Sequence, residues 1–121
     1  MIKKLDWVTI WSEDLNNLLP FYRDVLGLRV VEESPGFVAM AGSEEGPGVC
    51  VGTHSDVKGK ATDPYRHMVG LGIDDLDAEY SRLSSAGVEF IEPPTEYGDG
   101  FRMATLKDPE GNVVQISEMG S

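Results

Sequence analysis

The chain has 121 residues, 40% hydrophobic and 26% charged, a composition that supports one folded core. Its formal net charge is −11, from 21 acidic and 10 basic residues, which repels phosphate backbones and anionic lipid and argues against nucleic acid or a membrane as partner. No apolar run approaches the roughly 20 residues needed to cross a bilayer. Cys50 is the only cysteine, which excludes an intrachain disulfide and any multi-cysteine metal centre.

In chain order, the first strand is predicted over 5–11. Its period of two puts Val8 and Ile10 on one face and Trp7, Thr9 and Trp11 on the other. Before it, Lys3 and Lys4 precede no apolar stretch, so no signal peptide is expected and the expected compartment is the cytoplasm. Asp14 starts a helix in which Leu15, Leu18, Leu19, Tyr22, Val25 and Leu26 recur at helical spacing. Pro20 should kink that helix or confine its regular part to the residues after it. Gly27 is placed to stop it. Strands are predicted over 28–32, 37–41 and 49–54, with a turn at Pro35-Gly36 and an acidic, glycine-rich loop over 42–48. That loop has no lysine and is not a phosphate-binding loop.

A polar linker is predicted over 55–64, and then the pattern begins again. A strand over 67–73 leads to a helix from Asp74-Asp75 that carries Leu76, Tyr80, Leu83 and Ala86 and stops at Gly87. A strand over 88–91 is predicted to end at Pro93-Pro94. Strands over 101–106 and 113–117 flank a turn, Asp108-Pro109-Glu110-Gly111-Asn112. The order is strand, helix, three strands, twice over. The expected class is therefore α+β, with module one over 1–54 and module two over 65–121. Asp14-Leu15 and Asp75-Leu76 hold equivalent places, as do Gly27-Leu28 and Gly87-Val88.

Two segments then identify a family resemblance. Phe21-Tyr22-Arg23-Asp24-Val25-Leu26-Gly27-Leu28 and Asp108-Pro109-Glu110-Gly111-Asn112, with Ile73-Asp74-Asp75-Leu76-Asp77, resemble the vicinal oxygen chelate superfamily of glyoxalases, extradiol dioxygenases, fosfomycin-modifying enzymes and bleomycin-binding proteins. The resemblance covers nearly the whole chain. It implies a single domain of two tandem βαβββ modules whose sheets curl around one cavity, and a homodimer.

In the metal enzymes of that superfamily, ligands come from the first strand of each module, a late strand of module one and the last strand. The resemblance places those positions at Trp7, near Val51, at Met68 and at Gln115. An indole N–H only donates, and a neutral amide is a feeble ligand beside a carboxylate. The usual metal site is therefore expected to be absent, and no metal or cofactor is expected. His67 lies one residue from the ligand position, hence on the other face of its strand unless a bulge intervenes. A rebuilt site from His54, His67 and Glu118 is the alternative. Cys50 reads as a small buried hydrophobe.

In place of a metal site, the inward residues would form a ligand slot. The expected ligand-binding residues are Trp7, Thr9, Trp11, Met68, Gly70, Phe101, Met103 and Gln115, with Gly72, Thr105, Val113 and Ser117 beside them and Arg102 or Tyr97 near the rim. Indoles opposite glycines suit a flat ligand, and Gln115 with the hydroxyls would orient it. The competing reading makes both tryptophans plain core. The expected function is metal-independent binding and sequestration of a planar apolar or cationic small molecule, as antibiotic-binding relatives do. The alternative is a metal-dependent lyase, isomerase or dioxygenase with displaced ligands. No secure acid–base residue stands out.

Overall fold

Two four-stranded mixed sheets, built in the same strand order, carry the fold. The computed structural model describes residues 1, 3–42 and 46–118, so part of the predicted 42–48 loop lies outside the described residues. The elements are β1 (Trp7–Ser12), a 3-10 turn (Leu15–Asn17), a π-helical turn (Phe21–Val25), β2 (Arg29–Ser34), β3 (Phe37–Ala41) and β4 (Gly48–Thr53). After these come β5 (Val69–Gly72), α1 (Leu76–Ser85), β6 (Phe90–Glu96), β7 (Arg102–Lys107) and β8 (Val113–Glu118). The chain divides into two compact units, Met1–Gly59 and Lys60–Ser121. Among the described residues no helix is long and apolar enough to cross a membrane.

In the first unit the order is β1-β4-β3-β2. β1 runs parallel to β4, which the helical crossover permits, and the other neighbours are antiparallel. Alternation sorts the side chains. Val38, Met40 and Val51 face the crossover and are at most 2% exposed. From the crossover, Leu18 and Tyr22 are fully buried, and Leu15, Leu19 and Phe21 nearly so.

The helix predicted from Asp14 is not regular. Asp14 does cap a turn, its carboxylate accepting from the Asn16 N–H at 3.0 Å. Pro20 then supplies no amide donor, and a wide turn comes next, closed by the Leu26 N–H donating to the Phe21 carbonyl at 2.8 Å. Gly27, with φ of +83°, ends it as expected.

The second unit repeats the order as β5-β8-β7-β6. Here the crossover is a regular helix. Asp75 caps it by accepting from the Ala78 N–H at 3.1 Å, and Leu76 and Leu83 are fully buried. Tyr80 meets Phe90 edge to face at 4.6 Å. The 108–112 turn forms as expected. Asp108 accepts from the Glu110 N–H, the Asn112 N–H and the Asn112 side chain at 2.8 to 2.9 Å.

One strand differs from its prediction. β6 does not stop at Pro93-Pro94 but runs through both prolines to Glu96. Its register against β7 shifts between Glu92 and Thr95, so the prolines occupy an irregularity of the ladder. β6 is also the sheet's edge, with β7 its one strand neighbour among the described residues, so proline is tolerated there.

Candidate functional site: the open sheet faces

The face of each sheet turned away from its helical crossover is where the candidate residues lie. In the first unit, registers across β1, β4 and β3 align Trp11 with Gly52 and Phe37, and Thr9 with Cys50 and Ala39. Trp7 pairs with Gly48. Trp7, Thr9 and Trp11 thus share one face, as the period-two pattern predicts. Trp7 is 59% exposed and Trp11 43%, so neither is plain core in the chain as it stands.

Trp11 is the centre of this face. Its ring lies over Gly52: a Cβ added there would come 2.5 Å from the Trp11 ring. Glycine is therefore what lets the indole lie down on the sheet. Phe37 stands 6.0 Å away, tilted by 45°, and His54 meets Trp11 edge-on at 5.3 Å. Three aromatic side chains at these separations make offset and edge contacts rather than a sandwich, leaving ring surface exposed. His54 is held by the Asp56 N–H, which donates to its Nδ1 at 3.1 Å.

Cys50 lies beneath this layer, 3% exposed. Burial pushes its thiol up, opposed by a hydrogen bond with Thr9 and reinforced by the Glu32 carboxylate. It is a protonated packing residue at neutral pH, in keeping with its reading as a small hydrophobe.

In the second unit the equivalent face is sparse. Gly70 pairs with Gln115, which pairs in turn with Thr105. Gly72 pairs with Ser117, and Ser117 with Met103. Neither glycine would meet anything within 4 Å if given a Cβ. Met68 precedes β5 and is 43% exposed. Phe101, half-buried, lies just before β7, its N–H donating to the Gly98 carbonyl at 2.9 Å.

Two expectations are corrected. Arg102 is not on a ligand rim. It pairs with Glu118 across β7 and β8, and its guanidinium donates to Asp77 at 2.9 Å and to Glu118 at 3.1 Å. The row that carries it is the one facing α1. Tyr97, the other residue expected there, is exposed, and its hydroxyl donates to Glu92, which pushes that hydroxyl up. The position near Val51 is displaced by one: Val51 is fully buried on the crossover face, and Cys50 holds the open face.

The residues that the family resemblance sets at the expected ligand positions do not fit a divalent ion. Trp7 and Met68 offer no strong donor, Gln115 only a neutral amide, and Cys50 a thiol whose ionisation burial opposes. Glu118 is committed to Arg102 and to the Leu76 N–H, which donates to it at 3.2 Å. Among the described residues no three His, Cys, Asp or Glu side chains are grouped as a metal requires.

Glu32, Phe37 and Gly52 were missed as site residues from the sequence. Only cross-strand register places Gly52 and Phe37 in line with Trp11 and sets Glu32 opposite Ala39 on the same face, and register is not carried by periodicity within one strand.

Two βαβββ units in tandem, with helices on one face of each sheet and the other face open, define the class. A family model, the Glyoxalase/Bleomycin resistance protein/Dioxygenase superfamily, matches residues 4–116, and the chain belongs to that family. It is 28% identical to the uncharacterized protein YwbC of Bacillus subtilis, over 96% of this chain and 98% of that protein. Among solved structures it is similar to TnmS3, an antibiotic binding protein from Streptomyces sp. CB03234. The TM-score is 0.79 at 22% identity, covering 98% of each chain. A superfamily member from Sphaerobacter thermophilus aligns with a TM-score of 0.77 at 25% identity, again over 98% of each chain.

Proposed function

We propose that the protein binds a planar, apolar or cationic small molecule on the open face of its first sheet and sequesters it without a metal. The observation that carries this reading is the Trp11 ring lying on Gly52, flanked by Phe37 and His54 and still 43% exposed. A flat ligand stacking there gains dispersion and apolar burial, and each aromatic contact adds about 0.5–1.5 kcal/mol beyond its area. Trp7 and Thr9 extend the platform along β1. A similar fold in an antibiotic binding protein supports the class of activity, and the weak donors Trp7, Met68 and Gln115, at the positions where the family resemblance expects metal ligands, support its independence from metal.

The test has two arms. Protein purified without chelator is assayed for metal content and for melting temperature with added Ni, Zn, Mn or Fe. The expected result is no stoichiometric metal and no thermal shift. About one metal per chain with a clear shift would sink the reading and favour a metal enzyme. In the second arm, tryptophan fluorescence is titrated with planar compounds. Trp11→Ala should weaken binding by about tenfold or more while the protein stays folded. Met68→Ala and Gln115→Ala, run beside it, report whether the second unit's open face takes part.

A further inference from the structure

Glu32 occupies an unexpected place. The register of β2 against β3 shifts between Val30 and Glu32, so Glu32 pairs with Ala39, Glu33 with Val38 and Ser34 with Phe37. Ala39 and Phe37 belong to the open face and Val38 to the buried one. The bulge thus turns Glu32 toward the aromatic platform and Glu33 toward the crossover. Two charge effects agree with this. The Glu32 carboxylate acts on the Cys50 thiol beneath the platform, whereas the Glu33 carboxylate acts on Arg23 of the crossover.

Glu32 and Phe37 are diagonal neighbours on adjacent strands, a relation that separates side chains by roughly 7–8 Å. A ring system covering Trp11 and Phe37 therefore brings its edge within reach of the carboxylate. Among the described residues Glu32 forms no ion pair, and Arg29, one step along the same face, forms none with it. Aromatic faces with one unpaired carboxylate at their margin suit a flat ring bearing a positive group.

Resting on the binding function proposed above, we infer that Glu32 is the specificity residue of this face and selects planar cations over planar neutral molecules. The ring lies on Trp11 and Phe37, and its cationic nitrogen donates to Glu32. The protein's net acidity attracts any cation from a distance, and Glu32 holds one in register with the rings.

The experiment compares proflavine, a planar cation near neutral pH, with acridine, the neutral molecule of the same ring system. Each is titrated into the full-length wild type and into Glu32→Gln, Glu33→Gln and Trp11→Ala. Glu32→Gln should weaken proflavine by about tenfold and change acridine by less than about twofold. Glu33→Gln, which removes the same charge from the other face, should change neither. Equal losses for Glu32→Gln and Glu33→Gln would overturn the proposal in favour of diffuse acidity. Unchanged proflavine affinity in Glu32→Gln, with Trp11→Ala still weakening both dyes, would overturn the role of Glu32 while leaving the platform intact. Indifference of both dyes to Trp11→Ala, or no binding of either to wild type, would overturn the platform and Glu32 together.

Discussion

The two units share a strand order and a parallel pairing of first and last strands, yet they use their side chains differently. Where unit one has Trp7, Thr9 and Trp11, unit two has Met68, Gly70 and Gly72. One open face is an aromatic platform and the other is bare backbone flanked by Gln115, Ser117 and Met103. The crossovers differ in the opposite sense. Unit two has a ten-residue helix, unit one two short irregular turns around Pro20. Even the fastening of the crossover has diverged. The Leu15 N–H donates to the Thr53 hydroxyl at 2.9 Å, and the equivalent Leu76 N–H donates to the Glu118 carboxylate at 3.2 Å. The lesson is that a repeated backbone fixes where side chains point without fixing what they do.

The contrast can be broken most forcefully at the leucine after each capping aspartate. Leu76→Ala empties a fully buried position and should cost about 2–5 kcal/mol by denaturant unfolding. Leu15→Ala, at 7% exposure beside an irregular turn that can settle around the gap, should fall at the low end of that range. A larger loss for Leu15→Ala would mean that the irregular crossover is the tighter of the two.

The glycines sharpen the difference between the open faces. Gly52→Ala drives a methyl into the Trp11 ring and should cost about 1–3 kcal/mol, with a shift in tryptophan emission as the indole lifts. Gly72→Ala meets nothing and should stay within about 1 kcal/mol of wild type, leaning toward stabilisation. Equal effects would remove the distinction between platform and bare sheet.

Smaller again is the fastening. Thr53→Val strands the Leu15 N–H and should cost about 1 kcal/mol, indifferent to salt. Glu118→Gln keeps an acceptor for Leu76 but loses the charge opposite Arg102. Its cost should be less and should shrink further with added salt.

The least effect is expected at acid pH. Hydrogen bonding to Arg102 holds the Asp77 carboxyl below its ordinary value, and Arg23 does the same for Asp24 in unit one. A carboxyl lowered in the folded state contributes stability above its unfolded pKa, and that contribution is lost as pH falls through the folded one. Asp77→Asn and Asp24→Asn should therefore flatten the acid limb of a stability–pH curve, both slightly because both groups are exposed. A steeper limb in either variant would reverse the assigned sign.

How much of this is legible in the amino-acid order depends on which interactions are local. The period of two in 7–11 places Trp7, Thr9 and Trp11 together, and the capping aspartates and stop glycines place both crossovers. Neither needs knowledge of a distant residue. Pro20 announces a break in the first crossover but not its form, since a 3-10 turn and a π-helical turn differ from a kinked helix by only a few hydrogen bonds. The one-residue displacement between Val51 and Cys50, and the facing of Arg102 toward α1, both reflect register between strands. So does Glu32, whose orientation depends on a bulge that no pattern within β2 announces. β6 outruns its prediction because Pro93 and Pro94 forbid a central strand but not an edge, and edge status is settled only when the whole sheet assembles.

Those prolines also bear on how the protein behaves in a crowded cell. An edge strand with free amides is a template on which another chain can add a strand and begin a fibril. Two adjacent residues of β6 have no amide to offer, and the register irregularity around them spoils the regular spacing an added strand would need. At the matching edge of the first sheet, β2 presents Glu32 and Glu33 in succession, so a second copy approaching it meets like charge. The same bulge that turns Glu32 toward the rings thus lies on a border that discourages runaway assembly.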